Sequence, residues 1–264
     1  SGGVTILSTS PMSWLFRMRS SGVDALSDGV FDSTLPVTSF DEELDAMDTM
    51  IRTMGERAAE MVDMATRALL TGDVALAQRV ISEDRLMDQM QRDLDDRAVM
   101  LIGKRQPMGQ DLRFAVGAMR MAGDLERIGD LAKSTCKRVG SIGEMVVMRE
   151  PNFGIEKMAG LARSQVKAII DVYVGRRADE IEEIRNRDEQ IDMAYTSVFR
   201  ELLTYMMEDP RKISSCTHLL FCAKNIERIG DHVTNIAENA YYMITGDQLP
   251  MARPKVDNVA EGIG

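Results

Sequence analysis

Leu125-Glu126-Arg127-Ile128-Gly129-Asp130 returns 101 positions later as Ile226-Glu227-Arg228-Ile229-Gly230-Asp231, altered only from Leu to Ile. In each copy the Glu and the Asp are four apart, so on a helix they stand on one face with Cβ atoms roughly 6 Å apart. Like charges so placed repel at a cost of a few tenths of a kcal/mol, and a mid-helix Gly costs about 1 kcal/mol relative to Ala. Both penalties recur at the same place in two copies. Free energy recovered elsewhere, through a bound cation and close approach of a neighbouring helix, would account for them.

Outward from the hexamers the chain reads as all-α, in two tandem three-helix bundles related by internal duplication. Residues 1–38 are rich in Ser, Thr, Gly and Asp without period and read as a flexible leader, whose Ser1-Gly2-Gly3 start resembles a cloning remnant. Trp14-Leu15-Phe16, followed by Arg17 and Arg19, is too short for a signal-peptide core, though an amphipathic membrane toe over 12–19 is conceivable. Ser39 reads as an N-cap, with Glu42 completing a capping box. From there Leu44, Met47, Ile51, Met54, Ala58, Met61, Ala65 and Ala68 alternate spacings of three and four, the seam of a bundle helix over about 40–70. Thr71-Gly72-Asp73 ends it and caps a second helix over about 73–104, which stops before Pro107. A third, about 110–138, carries the first hexamer. The first bundle is therefore 39–140, with a linker over 141–153. Three further helices (about 155–174, 177–208 and 213–244) repeat the plan within 154–246, and 247–264 reads as a flexible tail.

The second helix of each half carries its own acidic i,i+4 pair, Asp84 with Asp88 and Asp188 with Asp192. Residue 86 and residue 128 both lie about 27 Å from the turn between their helices at about 1.5 Å per residue, so in an antiparallel hairpin the pairs are level. The second half counts out alike. Asp84, Asp88, Glu126 and Asp130 would make one oxygen-rich face, and Asp188, Asp192, Glu227 and Asp231 another. Such faces suit hard or borderline divalent ions such as Mg, Mn, Fe or Zn, and bridging carboxylates permit clusters of several. Tetrahedral structural zinc is disfavoured without His or Cys ligands. The plain alternative is a solvated acidic face softened by Arg127 and Arg228. His232 reads as a surface or supporting residue, and the Met47, Met54 and Met61 stripe as core.

Composition bounds the rest. A hydrophobic content of 44% with 28% charged residues is that of a globular chain, while 5% aromatics and 21 Met lean to helices. The net charge of -10 argues against nucleic acid as a partner. Cys136, Cys216 and Cys222 have no metal-finger spacing and read as reduced core thiols of a cytoplasmic protein.

Lys104-Arg105-Gln106-Pro107 followed by Asp111-Leu112-Arg113, the two hexamers, Leu203-Thr204-Tyr205-Met206-Met207-Glu208-Asp209, and Phe221-Cys222-Ala223 together resemble the PhoU family of phosphate-specific transport accessory regulators. The resemblance covers about 39–247. It implies two three-helix bundles whose E(D)xxxD motifs, here the eight acids named above, hold multinuclear metal clusters. It also implies a non-enzymatic negative regulator of the phosphate-starvation response. The implied partners are the ATPase subunit of the phosphate ABC transporter and the sensor histidine kinase of the phosphate regulon, with membrane contact only through them; a homodimer is expected. Two rivals remain: a metal-free scaffold, and a carboxylate-bridged di-metal oxidoreductase. The latter needs Glu-x-x-His pairs, and neither His218 nor His232 follows a Glu by three.

Overall fold

The computed structural model describes residues 35–142 and 149–250, and among these the regular structure is helical throughout. The expected leader, apart from 35–38, and the tail beyond 250 lie outside the described residues, as does the possible membrane toe. Helix α1 spans Leu35–Thr71, α2 Val74–Arg105 and α3 Gln110–Ile142, forming the first bundle. Helices α4 (Arg149–Val174), α5 (Ala178–Asn186), α6 (Asp188–Glu208) and α7 (Ile213–Thr245) form the second.

The local signals act where the sequence places them, with three exceptions. All eight seam residues of α1 are buried, from Leu44 to Ala68. Asp73 caps α2 by accepting from the Leu76 N–H at 2.9 Å, after Gly72 turns the chain at φ 68°. Asp209 caps the short 3-10 turn Pro210–Lys212 that leads into α7. Ser39, however, lies inside α1 rather than capping it: Pro36 suits a first-turn position, and the helix begins at Leu35. Helix α3 also runs to Ile142 and α4 starts at Arg149, both inside the span 141–153 expected as linker. Third, the helix expected over 177–208 is interrupted at Arg187. There the Arg187 N–H is shared between the Glu183 and Ile184 carbonyls, and the Gln190 N–H returns to the Arg187 carbonyl at 3.0 Å, a tightened turn. Asp188 thus opens a helix of its own.

The two bundles share one core. Helix α3 packs antiparallel on α7: Arg113 lies at Gly246, Gly117 at Met243, Asp124 at His232, Thr135 at Asn225 and Arg138 at His218. Helix α1 packs antiparallel on α4 through Asp48 with Arg176, Gly55 with Ile170 and Asp63 with Arg163. Two antiparallel pairs side by side relate the bundles by an approximate twofold axis across the helices. No described helix is long and apolar enough to cross a membrane.

Candidate metal centre

The hexamers occupy the middle of α3 and α7, with Ile128, Gly129, Ile229 and Gly230 buried and the acids half-buried beside them. In the first bundle α2 runs antiparallel to α3, and Met87 of α2 packs beside Gly129. That register brings Asp84, Asp88, Glu126 and Asp130 to one level, close enough to feel one another's charge.

Asp84 lies deepest, 2% exposed, and its Oδ1 has no hydrogen-bond partner. Burial pushes its carboxyl above the usual range, and the charges of Asp130 and Asp88 add to this, while Lys133 works against them. Glu126 is raised likewise, first by burial and then by Asp130. A cation of the chain's own lies between the acids: Lys133 of α3 donates to Asp84 Oδ2 at 2.5 Å and to Asp130 Oδ1 at 2.8 Å. Those two bonds hold its ammonium charged well above the ordinary lysine range. Arg127 stands outside, 3.7 Å from Glu126 and 3.5 Å from Asp130, and more than half exposed.

In the second bundle Asp188 takes the place of Asp84, 5% exposed at the first position of α6, where the helix N-terminus favours an anion. Its Oδ1 lies over Gly230, and Ile191 stands beside it. A Cβ at Gly230 would collide with that oxygen, so the glycine here is required for close approach. Asp192 and Asp231 are half-buried, as is Glu227, which Lys224 contacts at 2.7 Å from the rim.

The level match read from the sequence is therefore met in both bundles, within one turn. Among the described residues no three His, Cys, Asp or Glu side chains converge on a point that would hold a metal ion as they stand. In the first face Asp84 and Asp130 both contact an ammonium, that of Lys133. The donor set, carboxylate oxygens only and one of them buried without a partner, fits an oxygen-preferring divalent ion. Lys133 and Lys224 went unread in the sequence. Lys133 stands three and seven residues beyond Asp130 and Glu126, on their face of the helix, and that spacing was a usable signal. His232 pairs across the bundles with Asp124 at 2.9 Å, and Asn235 donates to the same carboxylate at 3.2 Å. Its supporting role is thus a strut between α3 and α7, beside an open cleft of about 650 Å³ that Arg120, Glu126 and Asn239 help to line.

The model of the PhoU domain matches twice, over residues 51–139 and 155–240, and each match contains one complete acidic face. The chain belongs to the PhoU family. The phosphate-specific transport system accessory protein PhoU homolog of Rhizobium meliloti (strain 1021) is 53% identical over 221 residues, spanning 84% of this chain and 93% of that protein. Its namesake in Caulobacter vibrioides (strain NA1000 / CB15N) is 42% identical over 225 residues, 85% of this chain and 98% of the relative. The crystal structure of PhoU from Pseudomonas aeruginosa superposes with a TM-score of 0.75 at 33% identity, covering 79% of this chain and all of that one. The PhoU-type architecture and its internal duplication are thus common to sequence and fold.

Proposed function

We propose that this chain is an accessory regulator of phosphate uptake that works by protein contact and turns over no substrate. In this reading it is a cytoplasmic helical adaptor between the ATPase subunit of a phosphate ABC transporter and a sensor histidine kinase, restraining the phosphate-starvation response when phosphate is plentiful. Membership of a family whose relatives carry the name phosphate-specific transport system accessory protein supports the phosphate role. The observation that carries the adaptor reading is the repeated acidic face, α2 with α3 and α6 with α7, each with a buried Asp beneath half-buried acids.

Asp84, Asp88, Glu126 and Asp130 would hold divalent metal on the first face, and Asp188, Asp192, Glu227 and Asp231 on the second. The metal would supply positive charge that offsets the carboxylates and offers coordination sites to a partner's acidic groups. The chain's own part is to hold two rigid faces, on helices rather than loops, at a fixed separation.

The test is elemental analysis of protein purified without chelator or nickel resin, paired with a phosphate-starvation reporter in a strain lacking its own copy. Two or more metal equivalents per chain, lost in Asp130→Asn with Asp231→Asn while the fold survives, support the metal-bearing adaptor. Repression retained by folded, metal-free protein would leave the scaffold and remove the metal. Repression absent with the native chain would refute the regulatory reading.

A further inference from the structure

We propose that Lys133 is a tethered cation that competes with divalent metal for the first acidic face, so that metal enters only by displacing it. This rests on reading the face as a metal site.

Lys133 Nζ lies between a carboxylate of α2 and one of α3, 2.5 Å from Asp84 and 2.8 Å from Asp130. Both belong to the set that would coordinate metal. Its side chain is 24% exposed, so the head group is partly withdrawn from water. Asp84 keeps its second oxygen buried and without a hydrogen-bond partner. The ammonium satisfies only part of what the face offers. A divalent ion held by Asp84, Asp88, Glu126 and Asp130 would first have to break two charge-assisted hydrogen bonds. The competitor is covalently attached, so its local concentration does not fall on dilution. At the matching position in the second half, 101 residues on, stands Thr234. Arg127 does not compete in the same way, since it is exposed and at 3.5 Å or more from its acids.

The experiment titrates chelator-stripped full-length protein with MnCl2 alone, by calorimetry, in an Asp192→Asn, Asp231→Asn background that disables the second face. Lys133→Thr, which copies the repeat, should bind Mn2+ about tenfold more tightly than the same background with Lys133, because a neighbouring positive charge has gone. Lys133→Arg, which keeps the charge, should show no such gain. A readout without substitution at 133 follows acylation of lysines by mass spectrometry. Lys133 should be protected in metal-free protein and become reactive as Mn2+ loads. Unchanged affinity in Lys133→Thr, or Mn2+ binding that leaves Lys133 protected, overturns the competition while the metal reading stands. Absence of Mn2+ binding in every variant, with helical circular dichroism intact, removes the metal reading and this inference together.

Discussion

Arg176, in left-handed conformation at φ 54° just past the end of α4, reaches into the other bundle and donates to Asp48 of α1 at 2.7 Å. Both side chains are largely buried, and the guanidinium also lies 4.5 Å from the Tyr173 ring and 5.8 Å from that of Phe114. Removing one partner of such a pair strands the other as an uncompensated charge. Asp48→Ala should therefore destabilise the chain by about 3–5 kcal/mol in urea unfolding. A loss below about 1 kcal/mol would place the pair with ordinary surface bridges.

The two hexamer glycines should respond differently to alanine. At Gly230 a Cβ meets Asp188 Oδ1 in collision and Ile191 Cδ1 at 3.1 Å, so Gly230→Ala must push the buried acid aside, at about 1–3 kcal/mol. At Gly129 the nearest atoms, Met87 Cγ at 3.4 Å and Met61 Cε at 3.5 Å, are flexible and at ordinary contact. Gly129→Ala should be neutral or gain up to about 1 kcal/mol of helix propensity. Thermal unfolding of the two variants side by side decides it, and equal losses would contradict this account of Gly230.

That asymmetry marks the boundary of what the sequence discloses. The seam from Leu44 to Ala68, the Gly72-Asp73 turn and the duplication were legible because periodicity and capping are local. The level match of Asp84 with Asp130 was legible because an antiparallel hairpin turns counting into geometry. The interruption at Arg187 was not, since neither Gly nor Pro marks it and the bounding helices are both regular. Nor was Asp48 with Arg176, whose partners are 128 positions apart and joined only by the packing of one bundle on the other. Lys133 lay in plain view three residues beyond Asp130. Its pairing with Asp84 was not legible from that spacing, because it depends on how α2 packs against α3.

Stability should fall with rising pH across the range set by Asp84 and Glu126. Both carboxyls are raised in the folded chain, chiefly by burial, so the folded state binds their protons more tightly than the unfolded state. Their contribution is greatest when protonated and is lost as pH rises from the ordinary carboxyl range through the raised folded values. Melting temperatures of metal-free protein between about pH 4.5 and pH 7 should therefore slope downward more steeply for the native chain than for Asp84→Asn with Glu126→Gln. Parallel slopes would mean that these two acids do not titrate differently on folding.

All three thiols should be inert in the folded protein. Burial pushes Cys136 up to about 12 and Cys222 up to about 12, and raises Cys216 as well, so almost no thiolate exists near neutrality. Cys136 and Cys222 are neighbours across the α3 and α7 seam, where Arg138 lowers Cys222 less than burial raises it. All three side chains are also sterically closed off, at 3% exposure or less. Ellman's reagent at about pH 8 should label none of them in native protein and all three in guanidinium chloride. Fast labelling of one thiol with the helical signal intact would show that the α3 and α7 seam opens without global unfolding. The bundles would then be separable units rather than two halves of one core.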